Sequence, residues 1–268
     1  MLSVQKILFP VDFSDRCRGA AHVVKALAWR FDAEVTPLHV IETDSESKQS
    51  RQKMEELVAA ELGGCRTSPC IMTGDPSVRI VGLARAGDFD AILMPTHGHG
   101  PFRRFLLGAV TAKVLHDASC PVWTSAHLED WPVIAEIALR NIACGIDFSP
   151  RSLVALKCAL RLAEEFNAAL TIVHAVPPFD TSTWSAEAGN QARRSATERA
   201  HKVEAKLGTL APVEIVDGAA AYGLSEVAEQ LNADLVVIGR SRVAAEFAKL
   251  GSNAYAIIAH SPCPVLSV

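Results

Sequence analysis

Glycines near residue 100 have the spacing expected of a loop that holds a phosphate. Gly98 and Gly100 follow a short apolar run at residues 91–94, and Gly108 precedes residues 110–118, whose apolar positions have helical spacing. Glycine lets main-chain N–H groups come close to an anion, and the first turn of a helix directs unpaired N–H groups toward it. A strand, a glycine loop and a helix in this order therefore predict a phosphate-binding site.

Two aspartates stand where predicted strands end. Asp12 ends the apolar run at residues 7–12, and Asp147 stands at the same point in the second half of the chain. Ligands of open α/β sheets bind at the carboxyl ends of the strands, which favours a ligand-binding role for both aspartates. Each aspartate can also support a helix N-cap beside it, at Ser14 or Ser149, and the two roles are compatible.

The loop also carries basic side chains. His97 and His99 flank Gly98, where either ring can contact a phosphate, transfer a proton or simply lie exposed. Arg103 and Arg104 can steer a nucleotide or form a solvated surface.

The sequence has no Gly-x-Ser-x-Gly elbow, no Walker Gly-Lys-Ser/Thr and no His-Glu-x-x-His. We therefore expect any nucleotide hydrolysis to be slow, and we assign no residue a catalytic or metal-binding role.

These residues need a scaffold of alternating strands and helices. Ser14 or Asp15 is expected to cap the first helix. Apolar runs predict strands near residues 7–12, 33–40, 70–72, 91–94 and 120–124, and helical spacing predicts helices near residues 19–31, 54–62, 77–86 and 110–118. Strands that alternate with helices imply a parallel sheet with right-handed crossovers.

The second half of the chain repeats the first. Asp12 recurs as Asp147, and His39 as His174, at an offset of 135 residues. The offset is 143 where Cys120 and the Pro-Val after it recur from Cys263. A period of this length indicates a duplicated domain and not a solenoid unit. The shared position of the two histidines suggests a packing role.

The repeat predicts two domains. We expect a first domain at residues 1–126, a linker at residues 127–139, where the strand pattern breaks, and a second domain at residues 140–268. Residues 179–190 are rich in Ser, Thr and Ala and are expected to form a mobile loop within the second domain.

The composition favours a cytosolic protein that binds neither nucleic acids nor membranes. The net charge is −4 and the basic residues are scattered, so no basic surface is expected. No targeting pattern is recognisable at the N-terminus, and no run approaches the roughly 20 apolar residues of a membrane span.

The seven cysteines are interpreted as reduced thiols, although Cys65 and Cys70 are spaced closely enough for a redox pair or half of a metal site.

The combination of these features resembles the universal stress protein family. The resemblance is carried by the strand ending in Asp, the Gly-x2-Gly-x9-Gly-Ser/Thr pattern after the fourth strand and the closing Cys-Pro-Val strand, and it extends over both halves. It implies two tandem flavodoxin-like or Rossmann-like α/β domains, each a parallel five-stranded sheet sandwiched by helices. It also implies a cytoplasmic stress-response protein that binds ATP, with Mg²⁺, or another adenine nucleotide.

The first copy matches the family pattern incompletely. The family's glycines fall on Pro95, Gly98 and Gly108, and its Ser/Thr falls on Ala109. Pro95 lacks an N–H and Ala109 lacks a hydroxyl, so two donors are lost. The resemblance implies that Asp12 meets the adenosine and that the main chain of Val40 meets the base. The candidate nucleotide-binding residues are Pro10, Asp12, Val40, Met94, Thr96, Gly98, Gly108, Ala109, Val110 and Thr111.

The second copy departs from the pattern in a different way. Gly239, Gly251 and Ser252 match the family, but Arg242 replaces the second glycine and only eight residues separate it from Gly251. Arg240 and Arg242 can bind phosphate through their guanidinium forks, or they can fill the pocket and pair with Glu246 or Asp147. The candidate residues in this copy are Asp147, Gly239, Arg242, Gly251 and Ser252.

Three functions stay open at this point. The leading hypothesis is a nucleotide bound chiefly in the first copy as a conformational signal. The alternative is a nucleotide-free scaffold or partner-binding protein with degenerate loops, and the third option is a slow ATPase that uses the loop histidines. We expect an internal pseudo-dimer formed by residues 120–124 and 263–268, because each segment is an apolar terminal strand, and whole chains can pair again as a homodimer.

Overall fold

The computed structural model describes residues 4–96, 107–125, 138–176, 186–240 and 252–268. The chain divides into two compact units, Leu2–Ile137 and Ala138–Val268, which we call the first and second domains. His97, His99, Arg103 and Arg104, for which loop roles were predicted, lie outside the described residues.

The described part of the first domain is a parallel sheet with helices in the connections. The strands are β1 (Lys6–Pro10), β2 (Glu34–Ile41), β3 (Arg66–Thr67), β4 (Cys70–Thr73), β5 (Ala91–Pro95) and β6 (Val122–Ser125). The helices are α1 (Asp15–Phe31), α2 (Ser47–Glu61), α3 (Pro76–Ala86) and α4 (Ala109–Asp117), with a 3₁₀ turn at Asp44–Glu46. The strand order is β3 and β4, then β2, β1, β5 and β6, and every described pair of neighbours is parallel.

One edge strand of this sheet is built in two pieces. β3 and β4 both pair with β2, and they are separated by Ser68 and Pro69. The Ser68 N–H still donates to Val35 O across 2.9 Å, but Pro69 has no N–H to contribute. The two pieces therefore form one interrupted strand, and the predicted five-stranded parallel sheet is confirmed.

The second domain repeats this arrangement. Its strands are β7 (Asn141–Gly145), β8 (Ala169–Val176), β9 (Val213–Asp217), β10 (Leu235–Ile238) and β11 (Val265–Ser267). Its helices are α5 (Pro150–Phe166), α6 (Ala186–Leu207), α7 (Ala220–Gln230) and α8 (Ser252–His260). The described strands are parallel and lie in the order β9, β8, β7, β10, β11.

The prediction of a loop at residues 179–190 is wrong over its last part, because α6 begins at Ala186. Residues 177–185 lie outside the described residues. The first turns of α6 contain Ala, Glu and Gln, which are strong helix formers, so the local preference for a helix outweighs the polar composition. No helix in the described ranges is both long and apolar enough to cross a membrane.

Short polar side chains begin the helices that follow β1 and β7. Ser14, one of the two predicted caps, accepts the Cys17 N–H across 3.2 Å at the start of α1. Ser149 accepts the Ser152 N–H across the same distance at the start of α5. Each serine satisfies a first-turn N–H that has no partner within its helix, and each fixes the direction in which the chain leaves its strand.

The core of each domain lies against the two faces of its sheet. Ile7, Leu8 and Phe9 of β1 are fully buried, and so are Val236 and Val237 of β10. Near-continuous apolar strands of this kind are typical of parallel sheets that helices cover on both faces. The polar ends of the strands are thus left at the carboxyl edge, where the candidate site residues lie.

Candidate functional site

A cavity of about 320 Å³ opens at the carboxyl edge of the first sheet. It lies between the ends of β1, β2 and β5 and the first turns of α3 and α4. Its lining residues are Pro10, Val11, Asp12, Leu38, His39, Val40, Pro76, Ile80, Met94, Pro95, Gly108, Ala109, Val110 and Thr111.

The structure brings most of the first copy's predicted residues together in this cavity. Among the lining residues are eight of them: Pro10, Asp12, Val40, Met94, Gly108, Ala109, Val110 and Thr111. Thr96 is buried and does not line the cavity, but its carbonyl oxygen accepts the Gly108 N–H across 2.9 Å. Gly98 lies outside the described residues. The other six lining residues were not among the predicted binding residues: Val11, Leu38, His39, Pro76, Ile80 and Pro95.

The Asp12 carboxylate is held by the serine that caps α1. Its Oδ1 accepts the Ser14 N–H across 3.0 Å and the Ser14 hydroxyl across 2.6 Å. Phe13, between them, has a φ of +64°, in the left-handed region that a bulky side chain rarely enters. This turn brings Ser14 back to Asp12, so the predicted ligand residue and the predicted cap belong to one hydrogen-bonded unit.

The main chain of Val40 faces the cavity because the pairing of β1 with β2 ends just before it. Successive residues of a strand direct their N–H and C=O groups alternately to the two neighbouring strands. Leu38 O accepts the Val11 N–H on the β1 side across 2.8 Å, and Ile41 O accepts the Gly74 N–H on the other side across 3.0 Å. Val40, two residues after Leu38, therefore directs its polar groups past the end of β1.

The His39 ring closes the end of this strand pair. Its Nδ1 donates to Val11 O across 2.8 Å, and its ring lies 4.4 Å from that of Phe13, centroid to centroid. The second domain repeats both contacts: His174 Nδ1 donates to Ile146 O across 2.8 Å, and Phe148 stacks at 4.4 Å. The predicted packing role is therefore accurate for both histidines, and the recurrence at one offset was the sequence signal for it.

The first turn of α4 forms the other wall of the cavity. Gly108 is the N-cap, and its own N–H donates to Thr96 O. The Thr111 hydroxyl is buried and donates to Pro95 O across 3.2 Å, so it joins the first turn of α4 to the end of β5. The first N–H groups of any helix have no intrahelical acceptor, which leaves those of Ala109, Val110 and Thr111 suited to an anion.

The second domain has an equivalent cavity of about 380 Å³. Asp147, Ala175 and Gly239 line it at the positions that Asp12, Val40 and Pro95 occupy in the first domain, and Arg151 adds a cation. Ser252 is the first residue of α8 but is not among the lining residues. Arg242 and Gly251 lie outside the described residues.

Gly239 has a packing role that sequence reasoning did not anticipate. A Cβ atom at this position would lie 2.9 Å from the main-chain carbon of Arg151 and 2.9 Å from the Ser152 nitrogen. Only glycine therefore lets the end of β10 approach the start of α5 this closely. Close packing accounts for Gly239 whether or not a phosphate binds beside it.

The groups in the first-domain cavity are suited to binding a small polar molecule. Within the described ranges, no group of three or more His, Cys, Asp or Glu side chains is placed to hold a metal ion. Cys65 and Cys70 are free thiols, as are the other five cysteines. The first-domain cavity instead combines a carboxylate, an outward-facing strand N–H and C=O pair, and a helix N-terminus.

Comparison with known proteins identifies the family. The family model described as "Universal stress protein family" matches residues 3–125 and 138–268. Universal stress protein MJ0531 of Methanocaldococcus jannaschii is 30% identical over 137 residues, which cover 44% of this chain and 79% of that protein. A universal stress protein structure from Archaeoglobus fulgidus has a TM-score of 0.77 at 22% identity, and the match covers 99% of this chain and 98% of that one.

The chain is also similar to a solved structure that contains a nucleotide. A universal stress protein in complex with cAMP matches 49% of this chain and 98% of its own, at 28% identity and a TM-score of 0.38. The fold is shown by the full-length structural match, and the family by the two matches to its model. The chain belongs to the universal stress protein family, with one family domain in each half.

Proposed function

We propose that this protein binds an adenine nucleotide, ATP with Mg²⁺ or a related compound, in the first-domain cavity. The bound nucleotide acts as a conformational signal in a stress response and is not a consumed substrate. The observation that carries this proposal is that Val40, Asp12 and the first turn of α4 line one cavity. These are groups for a base, a sugar and a phosphate, respectively.

Each part of an adenine nucleotide has a matching group in the cavity. The Val40 N–H can donate to a ring nitrogen of adenine while its C=O accepts from the exocyclic amino group. The Asp12 carboxylate can accept hydrogen bonds from ribose hydroxyls. The N–H groups of Ala109 and Val110 can meet a phosphate at the positive end of α4. The volume of about 320 Å³ is within the range of small-molecule sites.

Magnesium, if it accompanies the nucleotide, would be held mainly by phosphate oxygens. Mg²⁺ commonly keeps several waters and is bound through substrate phosphates with only one or two carboxylates. The lack of a carboxylate cluster among the described residues is compatible with that mode. The chemistry supplied by the ion would be charge neutralisation of the phosphates.

The first domain is the preferred site because the second differs on its phosphate side. Asn253 and Ala254 stand in α8 where Val110 and Thr111 stand in α4, so the threonine that joins the helix to the end of the preceding strand is missing. Gly239 is also accounted for by packing against α5. The expected pairing of the terminal strands and of whole chains stays a prediction.

The test is to fill the cavity with a side chain. Gly108 has a φ of −60° and a ψ of 145°, which any residue adopts, so Gly108→Trp should fold while its ring occupies the site. Gly82→Trp is the matched control, since a Cβ there meets no atom within 4 Å. We expect native mass spectrometry to detect an ATP adduct on the wild type and on Gly82→Trp, and none on Gly108→Trp. No adduct on the wild type at millimolar ATP would refute the proposal and favour a nucleotide-free scaffold.

A further inference from the structure

The hydrogen-bonded pairing of β1 with β2 ends just before Val40. In a parallel ladder that continued past the bond from Val11 N–H to Leu38 O, the next bond would join the Val40 N–H to Val11 O. The described pairing instead ends at Pro10 and Leu38. Val11 O accepts the Nδ1–H of His39, across 2.8 Å. The His39 side chain therefore donates to the carbonyl oxygen that the next main-chain N–H of the ladder would use.

The His39 ring is held firmly in this position. A carbonyl oxygen can only accept, so the shared proton lies on His39 Nδ1. Phe13 covers the ring at 4.4 Å with the planes tilted by 47°, and Lys53 Nζ lies 5.9 Å from the Phe13 ring centre. His39 also lines the cavity, directly before Val40. The hydrogen bond to Val11 O and the contact with Phe13 thus hold the ring between the strand end and the site.

Phe13 has a strained backbone conformation at the point where its ring meets His39. Among the described non-glycine residues with positive φ, Phe13 and Phe148 are the ones that are neither Asp nor Asn. Asp and Asn tolerate this conformation because their short polar side chains can bond locally, whereas a bulky ring gains no such compensation. Both phenylalanines stack on the histidine of their own domain. Strained residues of this kind are found where the surrounding structure requires one geometry.

We infer that His39 is a positioning residue that sets base specificity: its ring donates to Val11 O at the point where the ladder would continue, and this keeps the Val40 N–H directed toward the ring nitrogen of an adenine. This inference rests on the proposed function. Adenine presents an acceptor nitrogen beside a donor amino group, whereas guanine presents a donor N–H beside an acceptor oxygen. The Val40 N–H and C=O match the first arrangement and oppose the second.

The test compares ATP with GTP on full-length variants by isothermal titration calorimetry. His39→Phe keeps a ring against Phe13 but removes the donor, so Val11 O becomes available to the Val40 N–H. His39→Asn restores a side-chain donor near the position of Nδ1. His174→Phe is the matched control, because it loses the same contacts in the second domain. Thermal unfolding midpoints are measured for each variant.

We expect His39→Phe and His174→Phe to lower the unfolding midpoint by similar amounts. Only His39→Phe should reduce the preference for ATP over GTP, by about tenfold, as expected for the loss of one buried hydrogen bond. His39→Asn should retain most of the wild-type preference. If His39→Phe does not fold, His39→Leu replaces it, since leucine matches asparagine in shape without the donor.

The outcomes separate the inference from the proposed function. If wild-type protein binds ATP but His39→Phe keeps its ATP-to-GTP ratio, the inference is wrong and nucleotide binding stands. An equal loss of preference in His174→Phe, or a wild type that binds both nucleotides equally, also overturns it. If the wild type binds no ATP, the proposed function fails, and this inference fails with it.

Discussion

The Asp147 carboxylate accepts the main-chain N–H of Ser149 across 2.9 Å. The same unit continues into α5, because the Ser152 hydroxyl accepts the Asp147 N–H and donates to Ser149 O. Partial burial alone would raise the pKa of Asp147, but hydrogen bonds from Ser149 and Ser152 outweigh it, and the net pKa is lowered. The charged form of Asp147 is therefore the one that the turn stabilises.

This lowered pKa predicts an acid-dependent contribution to stability. The contribution is fully present above the pKa of Asp147 in the unfolded chain and is lost as the pH falls through its lower folded-state pKa. Asp147→Asn should lower the free energy of unfolding at neutral pH by less than about 1 kcal/mol, because the exposed site is well screened. The difference from wild type should shrink in acid. Thermal unfolding between neutral and acid pH measures this, and a difference that grows in acid would contradict it.

The cysteines should differ in their reactivity toward alkylating reagents. Burial raises the pKa of Cys17 and of Cys263 to about 12, and it raises the pKa of Cys144 as well. Cys65 and Cys70 are only half-buried, although burial raises the pKa of each. The thiolate is the reactive species, so iodoacetamide at mildly alkaline pH should label Cys65 and Cys70 first. Peptide mass mapping of a time course checks the order, and early labelling of Cys17 in folded protein would refute it.

Gly239 should be intolerant of a side chain even without any ligand. The Cβ of Gly239→Ala would press on the main chain at Arg151 and Ser152, which cannot move aside as a flexible side chain can. We expect a loss of about 1–3 kcal/mol in the free energy of unfolding, typical of overpacking. Gly82→Ala is the control, because its Cβ meets no neighbour and alanine favours a helix. Chemical denaturation compares the two, and equal stability would show that β10 and α5 are not closely packed.

The sequence was sufficient for the architecture because the two halves repeat the same local signals. The runs that became β1, β5 and β10 are continuous apolar segments, and Ser14 and Ser149 are recognisable caps. The start of α6 at Ala186 was missed because Ser, Thr and Ala give no clear period, and helix propensity decided the outcome. The split of the edge strand at Pro69 depends on which N–H groups face β2, and a single sequence does not specify that pairing.

The site was predictable in its residue types but not in its geometry. Asp12, Gly108 and Thr111 could be named because strand ends and helix starts are visible in the sequence. The direction of the Val40 N–H depends on the register between β1 and β2 and on the residue at which their pairing stops. The recurrence of His39 and His174 indicated a shared packing role, but the bond from His39 to Val11 O is a contact across strands, and spacing within the sequence does not indicate that partner.

The most direct test of the account removes the single N–H that is proposed to bind the base. Val40→Pro deletes a donor that faces past the end of β1, so no bond of the sheet is lost, and Ala175→Pro makes the equivalent change in the second domain. Isothermal titration with ATP should show binding to the wild type and to Ala175→Pro, and binding about tenfold weaker to Val40→Pro. Wild-type affinity in Val40→Pro, or no binding to any of the three proteins, would contradict the account.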